Sequence, residues 1–142
     1  MKKFNLAVVG ATGNVGREIL NILDARNFPV KELHAVASSR SEGMKINYGN
    51  DKEIVVQNLE SFDFKKIDLV LSSPGSKISE KFVPIAIKSG AFVIDNTSFF
   101  RMKKDVPLII PEVNPEDTFK HKGVIANPNC TTILLSLVLG PL

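Results

Sequence analysis

Cysteine is nearly absent: Cys130 is the only one in 142 residues. A single thiol excludes an intrachain disulfide and a cysteine-rich metal site, so no metal is expected, and it fits a reducing, cytoplasmic setting. Long apolar runs are missing too, and nothing reaches the length that a bilayer-spanning helix needs. The opening MKKFNLAVVGATGNVG puts two lysines ahead of an apolar stretch, as a signal peptide does, but the stretch is short and breaks into glycines without a small-residue cleavage pattern. Positive charge is present without being concentrated. Eighteen Lys and Arg against fifteen Asp and Glu leave +3, scattered along the chain, which argues against a nucleic-acid stripe and leaves room for a local anion site. Internal repeats and low-complexity linkers are absent. What remains, 44% hydrophobic and 23% charged, suffices for one globular domain over residues 1–142 with a sizeable core.

Within that domain, apolar β-rich runs alternate with helical patterns. FNLAVVG (4–10) is a buried-strand run, and VGREILNILDARN then sets Ile19, Leu20, Ile22 and Leu23 on one helical stripe. LHAVASS (33–39), IDLVLSS (67–73), AFVIDN (91–96) and GVIANP (123–128) are further strands. ISEKFVPIAIKSG is a helix despite Pro84, and CTTILLSLVL opens another. Residues 44–58 form a hairpin insert with GND as its turn. The alternation predicts an α/β fold of the Rossmann-like, doubly wound kind: a mostly parallel sheet with helices on both faces.

Two motifs point to a dinucleotide. GATGNVG spaces Gly10, Gly13 and Gly16 three apart at the first strand-to-helix junction. It departs by one residue from G-x-G-x-x-G but keeps a tight turn, close backbone approach to a pyrophosphate and amides at a helix N-terminus. Glycine triplets also serve plain structural turns. At the end of the second strand, where an NAD site commonly places an acid, the chain has SSRSEG. Ser38, Ser39, Arg40 and Ser41 offer hydroxyls and a planar guanidinium suited to a 2′-phosphate, which favours NADP, while Glu42 adds a negative charge nearby.

Cys130 follows a proline-restrained turn, ANPNC, and falls at or beside the N-cap of an apolar helix, where unpaired amides and the dipole favour thiolate. A lone cysteine is commonly a buried small hydrophobe. Here the helix start, the carboxyl edge of the sheet and the upstream cofactor motif favour a nucleophile.

GATGNVG, SSRSEG, DNTSFFRM, IIPEVNP and ANPNCTT, in that order and at these spacings, resemble the N-terminal part of the aspartate-semialdehyde dehydrogenases, and the resemblance covers the whole chain. N-acetyl-glutamyl-phosphate reductases, close in chemistry, typically carry tyrosine where this chain has Thr131. The resemblance implies reversible, NADP-dependent reductive dephosphorylation of aspartyl phosphate to aspartate semialdehyde through a cysteine thioester, in lysine, methionine and threonine biosynthesis, by a homodimer. It implies that Thr12, Gly13, Asn14 and Val15 hold the pyrophosphate after Gly10, that Arg40 and Ser41 grip the 2′-phosphate, and that Ser73 lies near the nicotinamide. Arg101 matches the arginine that binds inorganic phosphate or the acyl phosphate, with Asn96 and Ser98 nearby, and Cys130 matches the nucleophile, with Asn129 beside it.

The chemistry of the residues agrees with those roles. In the oxidative direction a thiolate adds to an aldehyde, hydride leaves for the nicotinamide, and phosphate attacks the resulting thioester. A proton acceptor is also required. His34 lies within a strand and His121 in a KHKG turn, so both are expected to be structural or solvated, and the family's general-base histidine and substrate-carboxylate arginine are expected downstream. Family members run more than twice this length. The apolar surface from Ile133 to Leu139 calls for a partner layer, so the chain is expected to be a fragment whose absent second, α+β domain supplies substrate binding and most dimer contacts. The alternative is a nucleotide-binding module without turnover, in which Cys130 only packs.

Overall fold

The computed structural model describes residues 2–141. Seven strands form one sheet: β1 Phe4–Val9, β2 Val30–Ala37, β3 Lys45–Tyr48, β4 Lys52–Asn58, β5 Leu69–Ser72, β6 Phe92–Asp95 and β7 Val124–Ala126. Their spatial order is β3-β4-β2-β1-β5-β6-β7, and every pairing is parallel except β3 with β4. Three α-helices accompany them: α1 Asn14–Ala25, α2 Ser76–Lys88 and α3 Cys130–Leu139. This is the Rossmann-like doubly wound fold expected from the alternation of patterns.

Burial follows from position. β1 is flanked by strands on both sides and helices on both faces, so Leu6, Ala7, Val8 and Val9 are all fully buried, the continuous apolar run of a central parallel strand. Alternation sends Leu6 and Val8 toward α1, where Leu20 and Leu23 meet them with Ala35 and Val56. Ala7 and Val9 face α2, against Phe82, Val83 and Ala86. Pro84 is accommodated in α2 because it lies on the exposed face, where water can reach the carbonyl that loses its partner.

Two differences from the sequence reading have physical reasons. β2 begins at Val30 rather than Leu33, because pairing with β1 (Phe4 against Val30, Asn5 against Glu32) recruits the polar residues Lys31 and Glu32. The 44–58 hairpin is not a separate insert: its turn is GND as expected, but β4 pairs in parallel with β2 and extends the main sheet. Gly49 and Asp51 take positive φ values of 57° and 58° in that turn.

Candidate functional site

The carboxyl ends of β1, β2 and β5 enclose a cleft of about 530 Å³ lined by Gly10, Thr12, Gly13, Ser38, Arg40 and Ser73, all anticipated from the sequence. The glycine loop is shaped for close approach. Gly10 has φ +85°, and a Cβ there would sit 2.7 Å from the backbone of Ser73; one on Gly16 would sit 2.2 Å from the Gly10 carbonyl. A side chain at Gly10 would push the turn away from the segment after β5, and one at Gly16 would push α1 off the turn. Gly13 is the N-cap of α1 and provides no side-chain cap, so the first-turn amides remain available to an anion. Asn14 and Val15 occupy that exposed first turn, outside the lining of the cleft, and Ser41 closes the short 3₁₀ turn that carries Arg40. Glu42 is engaged by Asn58, whose Nδ2 donates to Oε2 at 3.2 Å.

The opposite wall of the cleft is missing from the sequence reading. Leu59, Pro74, Ile78, Phe82 and Ile85 make it apolar, and Glu60 and Lys81 add charge. Ile78 and Ile85 are 39% and 60% exposed, large apolar side chains in a concave setting that suits a planar ring. Periodicity shows that α2 exists but not which strand end it overhangs. A larger cleft, about 740 Å³, lies beside Phe28, Val30 and Tyr48 at the amino ends of the strands. Ligands of open α/β sheets bind at the carboxyl ends, which favours the smaller cleft.

A chain of polar contacts leads from that cleft along the strand ends. Asn96 Nδ2 donates to Ser73 Oγ at 3.5 Å, and Asn127 Nδ2 donates to Asn96 Oδ1 at 2.7 Å. Arg101 donates from Nε to the Asn127 carbonyl at 3.0 Å and from Nη2 to the Asn96 carbonyl at 2.9 Å. The guanidinium is therefore locked in place by two backbone oxygens, with its remaining N–H groups free to receive an anion among the described contacts. Ser98, next to this set, exchanges a 2.7 Å hydrogen bond with Ser76 in the first turn of α2.

Cys130 is the first residue of α3 and is exposed. Asn129 is the N-cap, its Oδ1 accepting from the Thr132 amide at 2.7 Å. Cys130 lies three positions beyond Asn127, whose carbonyl Arg101 binds, a reach of at most about 11 Å. The histidines are elsewhere. His34 bonds to Gln57 Oε1 at 2.9 Å on β2, four strand spacings from β7, or about 19 Å across the sheet. His121 accepts from the Gly123 amide at 3.0 Å and packs on Phe92 at the amino end of β7, whereas Cys130 follows its carboxyl end. Among the described residues no group of three or more His, Cys, Asp or Glu is placed to hold a metal, and no helix is long and apolar enough to cross a membrane.

The sequence model of the family described as "Semialdehyde dehydrogenase, NAD binding domain" matches residues 5–121. The chain belongs to that family. It is 50% identical over 143 residues to an aspartate-semialdehyde dehydrogenase of Rickettsia bellii, covering 99% of this chain and 42% of the relative. The crystal structure of aspartate semialdehyde dehydrogenase II from Vibrio cholerae complexed with ASA superposes with a TM-score of 0.94 at 47% identity, over 99% of this chain and 46% of that one. An aspartate semialdehyde dehydrogenase from Candida albicans solved with NADP gives 0.77 at 25% identity, over 99% and 46%. The chain thus spans less than half the length of these semialdehyde dehydrogenases and corresponds to their N-terminal, nicotinamide-cofactor-binding part.

Proposed function

We propose that this chain is the NADP-binding and thiol-bearing portion of an aspartate-semialdehyde dehydrogenase, reducing aspartyl phosphate to the semialdehyde through a thioester on Cys130. One observation carries the reading: the contacts Ser73–Asn96–Asn127–Arg101 join the dinucleotide cleft to a guanidinium fixed on the Asn127 carbonyl, three positions before the thiol.

The residues fit the cofactor. Gly10 leaves room where a Cβ would collide, the uncapped start of α1 meets the pyrophosphate, and Ile78 and Ile85 offer an apolar wall. Arg40, with Ser38 and Ser41, grips the 2′-phosphate through charge-assisted bonds, and Lys81 adds a second cation to the same cleft. When bound, NADP supplies the hydride transfer. Cys130 attacks the acyl or aldehyde carbon, Arg101 holds the phosphate or acyl-phosphate oxygens, and Asn96, Ser98 and Asn129 supply neighbouring donors. Proton transfer and recognition of the substrate's carboxylate are assigned to residues beyond these 142, on the second domain, because His34 and His121 are both committed to other contacts. The amino-acid biosynthetic role, the homodimer and the cytoplasmic location belong to the same proposal.

The decisive experiment follows Cys130 alkylation while NADP is added. Slower labelling in the presence of NADP supports a shared site. NADP binding that leaves the labelling rate untouched would instead favour a nucleotide-binding module in which the thiol takes no part.

A further inference from the structure

Among the described residues Asp95 is the only charged side chain that is fully buried. It ends β6, beside the candidate site, and contacts neither Cys130 nor the dinucleotide cleft in any interaction described above. A carboxylate removed from water has to be met by donors. Three hydroxyls do so: Oδ1 accepts from Ser72 Oγ at 2.7 Å and from Ser79 Oγ at 2.8 Å, and Oδ2 accepts from Thr97 Oγ1 at 2.6 Å. The donors come from the end of β5, the first turn of α2 and the segment that follows β6. Packing alone would be served as well by an apolar residue. What the carboxylate adds is direction.

That direction falls on Asn96, which lies between Asp95 and Thr97. Its amide donates to the Ser72 carbonyl at 2.8 Å, and its own carbonyl receives Arg101. The Asp95 to Thr97 bond spans two residues and closes a small ring around the Asn96 peptide, and the Thr97 hydroxyl in turn accepts from the Phe99 amide at 3.4 Å. We infer that Asp95 is a positioning residue for Arg101: by holding Thr97 it fixes the Asn96 carbonyl against which the guanidinium is set. The consequence for anion binding rests on the role proposed above for Arg101; the positioning itself does not.

The test reads the guanidinium directly. In ¹⁵N-labelled chain the Arg101 Nη2–H signal, from the group that donates to the Asn96 carbonyl, is identified by its loss in Arg101→Lys, and its exchange with water is compared with that of the Arg40 Nη–H groups. Thr97→Val keeps the shape of the side chain and removes the donor, so it serves even if Asp95→Ala does not fold. Thr97→Val is expected to lower the protection of Arg101 Nη2–H at least tenfold and to weaken inorganic phosphate binding at least tenfold, with NADP affinity held within twofold. Asp95→Ala is expected to lose as much, and Asp95→Asn, which retains an acceptor oxygen, to lose less. Unchanged Nη2–H protection in folded Thr97→Val and Asp95→Ala overturns the inference, and so does a parallel decline of NADP and phosphate binding, which would mark the carboxylate as a general support of the fold. If phosphate fails to bind the unaltered chain while the variants still release the Nη2–H, the positioning role stands and the anion role of Arg101 falls.

Discussion

Asn127 Nδ2 donates to Asn96 Oδ1 over 2.7 Å, so β6 and β7 are tied side chain to side chain just beyond their carboxyl ends. The two carbonyls that seat Arg101 belong to the same two asparagines. Replacing Arg101 with lysine keeps the charge but offers one point donor for two fixed acceptors. Arg101→Lys is expected to reduce inorganic phosphate affinity about tenfold or more and to lower the unfolding free energy by about 1–3 kcal/mol. Calorimetric titration and thermal melts check both, and phosphate affinity unaffected by the exchange would remove Arg101 from the site.

Cofactor choice depends on Arg40. Arg40→Asp replaces a cation with an anion at the proposed 2′-phosphate position, and should weaken NADP by roughly ten- to a hundredfold while leaving NAD nearly unchanged. Titration with both nucleotides reads the ratio. Equal affinities in the unaltered chain would show that the serine and arginine turn does not discriminate.

Cys130 is exposed at the first turn of a helix, so its thiol is open to reagents. Iodoacetamide is expected to label the native chain as readily as the denatured one. Mass spectrometry gives the rates, and a thiol that reacts only after denaturation would contradict both its exposure and its proposed role.

The Gly10 turn has no space for a methyl group. Gly10→Ala combines a left-handed backbone with a 2.7 Å approach to the Ser73 backbone, and should cost about 3 kcal/mol of stability and most of the NADP affinity. Denaturant unfolding and nucleotide titration would show it; a variant of native stability would mean that the β1–α1 turn relaxes freely.

The hairpin turn carries an acid-sensitive tie. Asp24 near the end of α1 pairs with Lys52 and accepts from the Asn50 amide at 3.3 Å, while Asn21 accepts from the Gly49 amide at 2.9 Å. The Lys52 hydrogen bond holds the Asp24 carboxyl below its ordinary 3.8, against a smaller opposing effect of desolvation. A carboxyl lowered on folding stabilises above its unfolded value and loses that contribution as pH falls through the lowered one. Lys52 is raised above 10.5 by the same bond, so its share fades only in strong alkali. Amide exchange at residues 49–52 should therefore accelerate below about pH 4 in the native sequence more than in Asp24→Asn. Identical pH profiles for the two would show that the pair does not anchor the hairpin.

Much of this arrangement is legible in the sequence because it depends on local chemistry. The start of α3 at Cys130 follows from Pro128 and the capping side chain of Asn129, and the tight first turn follows from Gly10 and Gly16. Ile78, Lys81, Phe82 and Ile85 escape a linear reading because they enter the cleft only once α2 packs against the strand ends. Asn127 escapes for a related reason. Between Ala126 and Pro128 it looks like part of a turn, and its meaning comes from β6 lying next to β7, which depends on sheet order rather than on sequence neighbours.

None of the ten residues of α3 is buried, and Leu134, Leu135 and Val138 are each more than half exposed. A helix of that length has little stability of its own in water beyond its cap. The helical geometry at Cys130 is thus thermodynamically linked to whatever shields those three side chains. By mass action, any contact that favours the covered helix also raises the fraction of molecules in which the thiol sits at an ordered helix start, making its labelling rate a reporter for events along the far side of α3.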